Sequence, residues 1–210
     1  MAMQEMSYDG ITERCLELLD AKELTALELL EELMNTPGVP MHDPVHHYIM
    51  PAMLLTMAAR SVGMDREALK KKLNTAEERA RKVLPGFCGW WGSCGSSVGC
   101  GIFASVWLEA GPKKEEHWAT CNALTSKCLA EVSSVGGPRC CKRTCYLALR
   151  AAVREAPALL GVDLGPVPSP VCTWSAFNQE CRREACPFYA ASVVAEGAKA
   201  HRHLFAVKLG

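Results

Sequence analysis

Apolar residues recur at three- and four-residue intervals along almost the whole chain, and no strand-length run alternates β-branched with polar residues. That pattern predicts an all-α fold. Ile11, Cys15, Leu16 and Leu19 form one stripe, and Leu24, Leu27, Leu29, Leu30 and Leu33 form a second. Thr36-Pro37-Gly38-Val39-Pro40 breaks the second stripe. Asp43-Pro44 predicts the start of a third helix, with Asp43 as cap and Pro44 at the first helical position, running to about Val62. A fourth follows Asp65 and ends before Pro85. From position 85 to 101 glycine is too frequent for an ordinary helix, and helical spacing resumes over 102–109. Two more helices are expected over 115–132 and 142–155, separated by Gly136-Gly137-Pro138. The expected organisation is a compact multi-helix domain with Gly/Cys-rich loops over residues 1–160. Residues 161–210 follow as a Pro-rich linker, a short Cys-rich segment and a terminal helix to about Val207, packed on that domain.

A chain of 210 residues can bury a core without staples. Lys plus Arg balances Asp plus Glu at 23 each, so the basic excess of a nucleic-acid binder is missing. Lys70, Lys71 and Lys72, and Arg81 with Lys82, sit among acidic residues and read as solvated helix faces. The apolar runs over 49–59 and 98–110 are shorter than the about 20 residues that cross a bilayer. No secretory leader is apparent, and a cytoplasmic location is expected. Twelve cysteines in such a chain argue for metal ligation rather than a disulfide framework.

Those cysteines are grouped. Cys88 and Cys94 lie in Gly86-Phe87-Cys88-Gly89-Trp90-Trp91-Gly92-Ser93-Cys94-Gly95, and Cys140 and Cys141 follow Gly137-Pro138-Arg139. Cys172, Cys181 and Cys186-Pro187 form a third group. Glycine beside a ligand lets backbone amides approach a cluster, and neighbouring Arg139, Lys142 and Arg143 favour the thiolate form. Adjacent cysteines behind Gly-Gly-Pro are hard to explain by packing. Cys15, on an apolar stripe, reads as core, and packing is also favoured for Cys121 and Cys128. Zinc is the rival metal, but its sites usually pair cysteines with two to four residues between them, and the intervals here, with Cys145 following the second group, are mostly longer or zero. The third group suits zinc or a cluster equally, as a second site or as a source of a remaining ligand. Trp90 and Trp91 read as core or cavity wall.

His42-Asp43-Pro44-Val45-His46-His47 concentrates histidine ahead of an apolar helix. His46 and His47 diverge by about 100° on a helix. Proton transfer or substrate binding is the expected role, against a capping or core role for any single histidine.

These strings, with Gly136-Gly137-Pro138-Arg139-Cys140-Cys141-Lys142-Arg143 and Cys186-Pro187-Phe188, resemble an uncharacterised cysteine-rich domain family of anaerobic bacteria and archaea from about residue 40 to 189. That resemblance implies no activity. A second, looser one is to the alpha domain of iron–sulfur L-serine dehydratases and cysteine desulfidases. Pro51-Ala52-Met53-Leu54-Leu55, the segment from Cys88 to position 109, and Cys128 with Cys140 or Cys141 before Lys142-Arg143 are similar to its segments. The resemblance implies a [4Fe-4S] cluster on three cysteines with one iron open to a substrate. The family's Thr-Ala-Gly substrate loop is replaced here by the His-rich string.

The expectation is a [4Fe-4S] protein with Cys88, Cys140 and Cys141 as ligands and Cys94 or Cys128 as the fourth. As a lyase it would act on a small hydroxy or thiol acid, with His46 or His47 moving a proton and Arg139 or Arg143 holding a carboxylate. The alternatives are a cluster carrier or redox accessory protein serving another protein, and a structural zinc protein.

Overall fold

In a computed structural model, residues 2–21 and 23–192 are described, and they form an all-α protein. The helices are α1 (Ala2–Glu17), α2 (Ala26–Met34), α3 (Val45–Val62), α4 (Arg66–Ala80), the single turn α5 (Phe87–Trp90), α6 (Gly95–Trp107), α7 (Trp118–Ser133) and α8 (Cys141–Leu160). The chain divides into two compact units, residues 1–168 and 169–210. The described part of the second has two 3₁₀ turns, Ser175–Phe177 and Arg183–Ala185, and one isolated bridge between Cys172 and Tyr189. The terminal helix expected to about Val207 lies outside the described residues. No helix among them is long and apolar enough to cross a membrane.

In the first unit α3 is the axle. Tyr48, Ile49, Met50, Met53, Leu54 and Leu55 are all fully buried, because α3 packs against α1, α2, α4, α6 and α8. Its start follows the expected chemistry: the Asp43 carboxylate accepts the Val45 N–H at 2.8 Å. Asp65 likewise caps α4 by accepting from Ala68 N–H at 2.8 Å, and Thr25 with Glu28 forms a capping box on α2. Helix C-termini leave carbonyls that need donors, and cationic side chains reach them here. Arg66 donates to Leu16 O at 2.8 Å, Arg60 Nε to Leu18 O at 3.1 Å, and the buried Lys142 ammonium to Met34 O at 3.1 Å.

The Gly-rich stretch corrects one expectation. α6 begins at Gly95, seven residues before the predicted start at 102, so Gly95, Gly99 and Gly101 are helical. Each glycine costs about 1 kcal/mol against alanine in a helix, and close approach to neighbouring helices offsets this. A Cβ on Gly99 would lie 2.8 Å from His47 O and 2.9 Å from both Met50 Cβ and Pro51 Cδ. Pro51 has no N–H to give to His47 O, one turn earlier, and Gly99 packs on that carbonyl. α8 also outruns its predicted end at 155, continuing through Pro157 to a left-handed Gly161 cap.

Candidate metal centre

α3, α6 and α8 point their first turns at one cavity of about 530 Å³, and the last turn of α7 closes a side of it. His46 and His47 come from α3, Cys94, Gly95 and Ser96 from the start of α6, and Cys140, Cys141 and Arg143 from the start of α8. Cys88 and Gly89 enter from α5, and Arg139 from the loop before α8. Eight residues marked in the sequence therefore share one space: His46, His47, Cys88, Cys94, Arg139, Cys140, Cys141 and Arg143.

Two of the thiols sit at helix N-caps. Cys140 is extended and its Sγ accepts from Arg143 N–H at 3.5 Å. Cys94 caps α6, with Sγ 3.1 Å from Ser96 Oγ. Cys141 follows at the first position of α8, where its N–H donates to His42 Nδ1 at 3.5 Å. Burial pushes the Cys141 thiol up to about 12, opposed by a hydrogen bond from the Asp43 backbone; nearby Cys94 and Cys140 push in the same direction as burial. Cys88 is exposed, at the cavity mouth.

The field in the cavity is positive. Helix N-termini carry partial positive charge, Arg139 and Arg143 line the wall, and among the described residues none of the lining is Asp or Glu. Such a setting favours bound anions over hard cations.

Each histidine has one nitrogen committed. His46 Nδ1 lies 3.0 Å from Asp43 O and His47 Nδ1 2.9 Å from Val83 O. A carbonyl only accepts, so each Nδ1 carries the proton and each Nε2 keeps a lone pair. His46 is 1% exposed, and its Nε2 has no hydrogen-bond partner among the described residues. Burial, with the Lys142 charge next, lowers its pKa to about 3, so the ring is neutral at ordinary pH. The His47 ring packs on Gly95. A Cβ there would stand 2.0 Å from His47 Cδ2 and 2.2 Å from Nε2. Gly95→Ala is expected to cost about 1–3 kcal/mol by overpacking and to displace the ring; thermal unfolding and the His47 NMR resonances check both.

Arg143 has a structural task that its sequence position did not reveal. Its Nη2 donates to Gly136 O at 2.9 Å and to Pro138 O at 2.5 Å, clamping the loop that contains the cis Gly137–Pro138 peptide. Its Nε is buried with no partner among the described residues. Arg139 is exposed at the mouth.

The remaining marked cysteines lie elsewhere. Cys128 is fully buried in α7, its Sγ 3.7 Å from Ala148 O, and does not line the cavity. Cys172, Cys181 and Cys186 belong to the second unit. There Cys172 N–H donates to Phe188 O at 2.7 Å, Cys181 Sγ accepts from Arg183 N–H at 3.4 Å, and Cys186 is 7% exposed. Trp90 and Trp91, expected in the core or a cavity wall, are instead 77% and 61% exposed, and neither lines the cavity. Among the described residues no three His, Cys, Asp or Glu side chains are grouped as a ready site for a metal ion. The closing wall of α7, from Leu129 to Ser133, carried no sequence signal because its residues are those of any helix end.

Thiols are the donor type that an iron–sulfur cluster takes. Four thiols line the space, its wall is cationic, and its volume far exceeds that of one ion with ligands about 2.3 Å away.

Compared with known proteins, residues 11–189 match the model of a family of unknown function (DUF5714). No curated protein and no solved structure matches the chain significantly.

Proposed function

This chain belongs to the DUF5714 family, whose function is unknown, and on that premise we propose that its cavity binds a [4Fe-4S] cluster. The observation that carries the proposal is the convergence of Cys88, Cys94, Cys140 and Cys141 on one positively polarised cavity. Cys94, Cys140 and Cys141 are three of the ligands, and the exposed Cys88 is the thiol available for the fourth corner. Twelve free thiols suit a reducing, cytoplasmic setting.

When bound, a cluster with one iron free of thiolate supplies a Lewis acid for a small hydroxy or thiol acid. The loose resemblance of several sequence segments to iron–sulfur L-serine dehydratases is what motivates that lyase-like form. In it, Arg139 at the mouth receives the substrate carboxylate, since Arg143 is occupied with its loop. His47, anchored at Nδ1 and only partly buried, is better suited than the neutral, enclosed His46 to move a proton. A second reading, a carrier or redox accessory protein, is favoured by the aromatic group beside Cys88. Phe87 and Trp91 have ring centroids 4.9 Å apart next to the exposed Trp90, an apolar lip suited to a protein partner.

Anaerobic purification followed by iron, sulfide and zinc analysis tests the proposal. About four iron and four sulfide per chain are expected, and stoichiometric zinc without sulfide overturns it. A change in the electron paramagnetic resonance spectrum on adding hydroxy or thiol acids selects the enzyme, and an unchanged spectrum selects the carrier.

A further inference from the structure

A cubane takes four terminal ligands, and the cavity offers more than four donors. Of its thiols, Cys88 is exposed on the single turn of α5, whereas Cys94, Cys140 and Cys141 stand at the starts of long helices. His46 is anchored more firmly than Cys88. It sits in the first turn of α3, the most enclosed helix of the unit, and lines the same cavity. Its Nδ1–H donates to Asp43 O at 3.0 Å, which fixes the tautomer and leaves the Nε2 lone pair bare. An imidazole whose second nitrogen is tied to a backbone carbonyl is the arrangement metal-binding histidines adopt. That Nε2 is buried and has no hydrogen-bond partner among the described residues, in a fold where buried polar atoms are almost always paired.

The geometry points to His46 Nε2 as the fourth, nitrogen ligand of the metal centre, with Cys94, Cys140 and Cys141 as the other three and Cys88 left unligated at the mouth. This inference rests on the cluster reading; a fully protein-coordinated site leaves no iron open to a substrate, so it selects the carrier or redox form over the lyase-like one. His47 shares the tautomer, but its ring packs against Gly95 and is only partly buried, so water can satisfy it. A neutral imidazole in place of a thiolate leaves the centre less negative, which raises its reduction potential.

The full chain, purified anaerobically with its iron and sulfide, is reduced and studied by pulsed electron paramagnetic resonance, unlabelled and with ¹⁵N-histidine. Strong hyperfine coupling to one directly bonded histidine nitrogen is expected in the natural protein, in Cys88→Ser and in His47→Ala. It is lost in His46→Cys, which keeps the iron content and lowers the reduction potential. A cluster without nitrogen coupling in the natural protein overturns this inference and leaves the cluster proposal standing. Coupling lost in His47→Ala, or iron lost in Cys88→Ser, also overturns it. A chain that takes up no iron and sulfide overturns both.

Discussion

Cys140→Ser combined with Cys141→Ser is expected to reduce bound iron and sulfide to background while leaving the helical content of the protein unchanged. Serine is a favoured N-cap, so the change at position 140 keeps or strengthens the start of α8. Cys141 lies at the first turn of the same helix, where its N–H and not its sulfur meets His42, so that contact also survives. Two thiolates are lost from the cavity wall, and the helix is retained. Losing an outer-shell partner alone costs a metal site about 10–100-fold in affinity, and losing two ligands costs more. Cys15→Ser is the control. Cys15 is fully buried on α1, and burial holds its thiol up at about 12, opposed by a hydrogen bond with Thr56. Serine there lowers stability and leaves the iron content as it was. Metal analysis and far-ultraviolet circular dichroism on the three proteins check the whole set. Equal iron in all three contradicts the assignment.

Gly99→Val is expected to destabilise the protein by about 3 kcal/mol or more, at the upper end of overpacking costs. Two effects oppose each other. Removing a helical glycine gains up to about 1 kcal/mol of propensity, less for a β-branched residue. Against this, the first added carbon already falls within 2.9 Å of His47 O, Met50 Cβ and Pro51 Cδ. The nearest of these is backbone, and Pro51 belongs to a helix buried nearly all round, so neither helix can yield cheaply. Overpacking therefore wins. For a chain of this size the melting temperature falls by roughly 6–12 °C. Gly111→Ala, where an added Cβ meets nothing within 4 Å, is expected to be near neutral. Calorimetry of the two variants separates a specific helix contact from a general intolerance of side chains at glycine.

The same contact explains how far the fold was legible in the sequence. Helices whose stability comes from their own apolar stripe and caps were readable: Asp43 and Asp65 announce α3 and α4, and both carboxylates accept the expected backbone N–H groups. The start of α6 was not readable, because Gly95, Gly99 and Gly101 are poor helix formers whose place depends on what packs against them. α8 also outran its reading. The helix runs on through Pro157 and closes only at Gly161.

The candidate site divides in a similar way. Gly- and Cys-rich strings far apart in the chain drew notice because packing alone did not explain them, and His46, Cys88, Cys94, Cys140 and Cys141 line one cavity. The division of labour among them depends on distances no one-dimensional pattern contains. Arg143 resembles a free carboxylate receptor until its guanidinium is found holding Gly136 O and Pro138 O. Cys128 has the spacing of a ligand, but α7 packs on α8 with that sulfur turned toward Ala148 O. His46 and His47 are adjacent and chemically alike, and only burial separates the neutral, enclosed ring from its partly buried neighbour.

Crystals of the anaerobically purified chain, with diffraction recorded on both sides of the iron absorption edge, test the central claim most directly. The account predicts a strong iron peak inside the cavity, bounded by Cys94, Cys140 and Cys141. Iron seated only among Cys172, Cys181 and Cys186, or a zinc-edge signal in that cavity with none for iron, would contradict it.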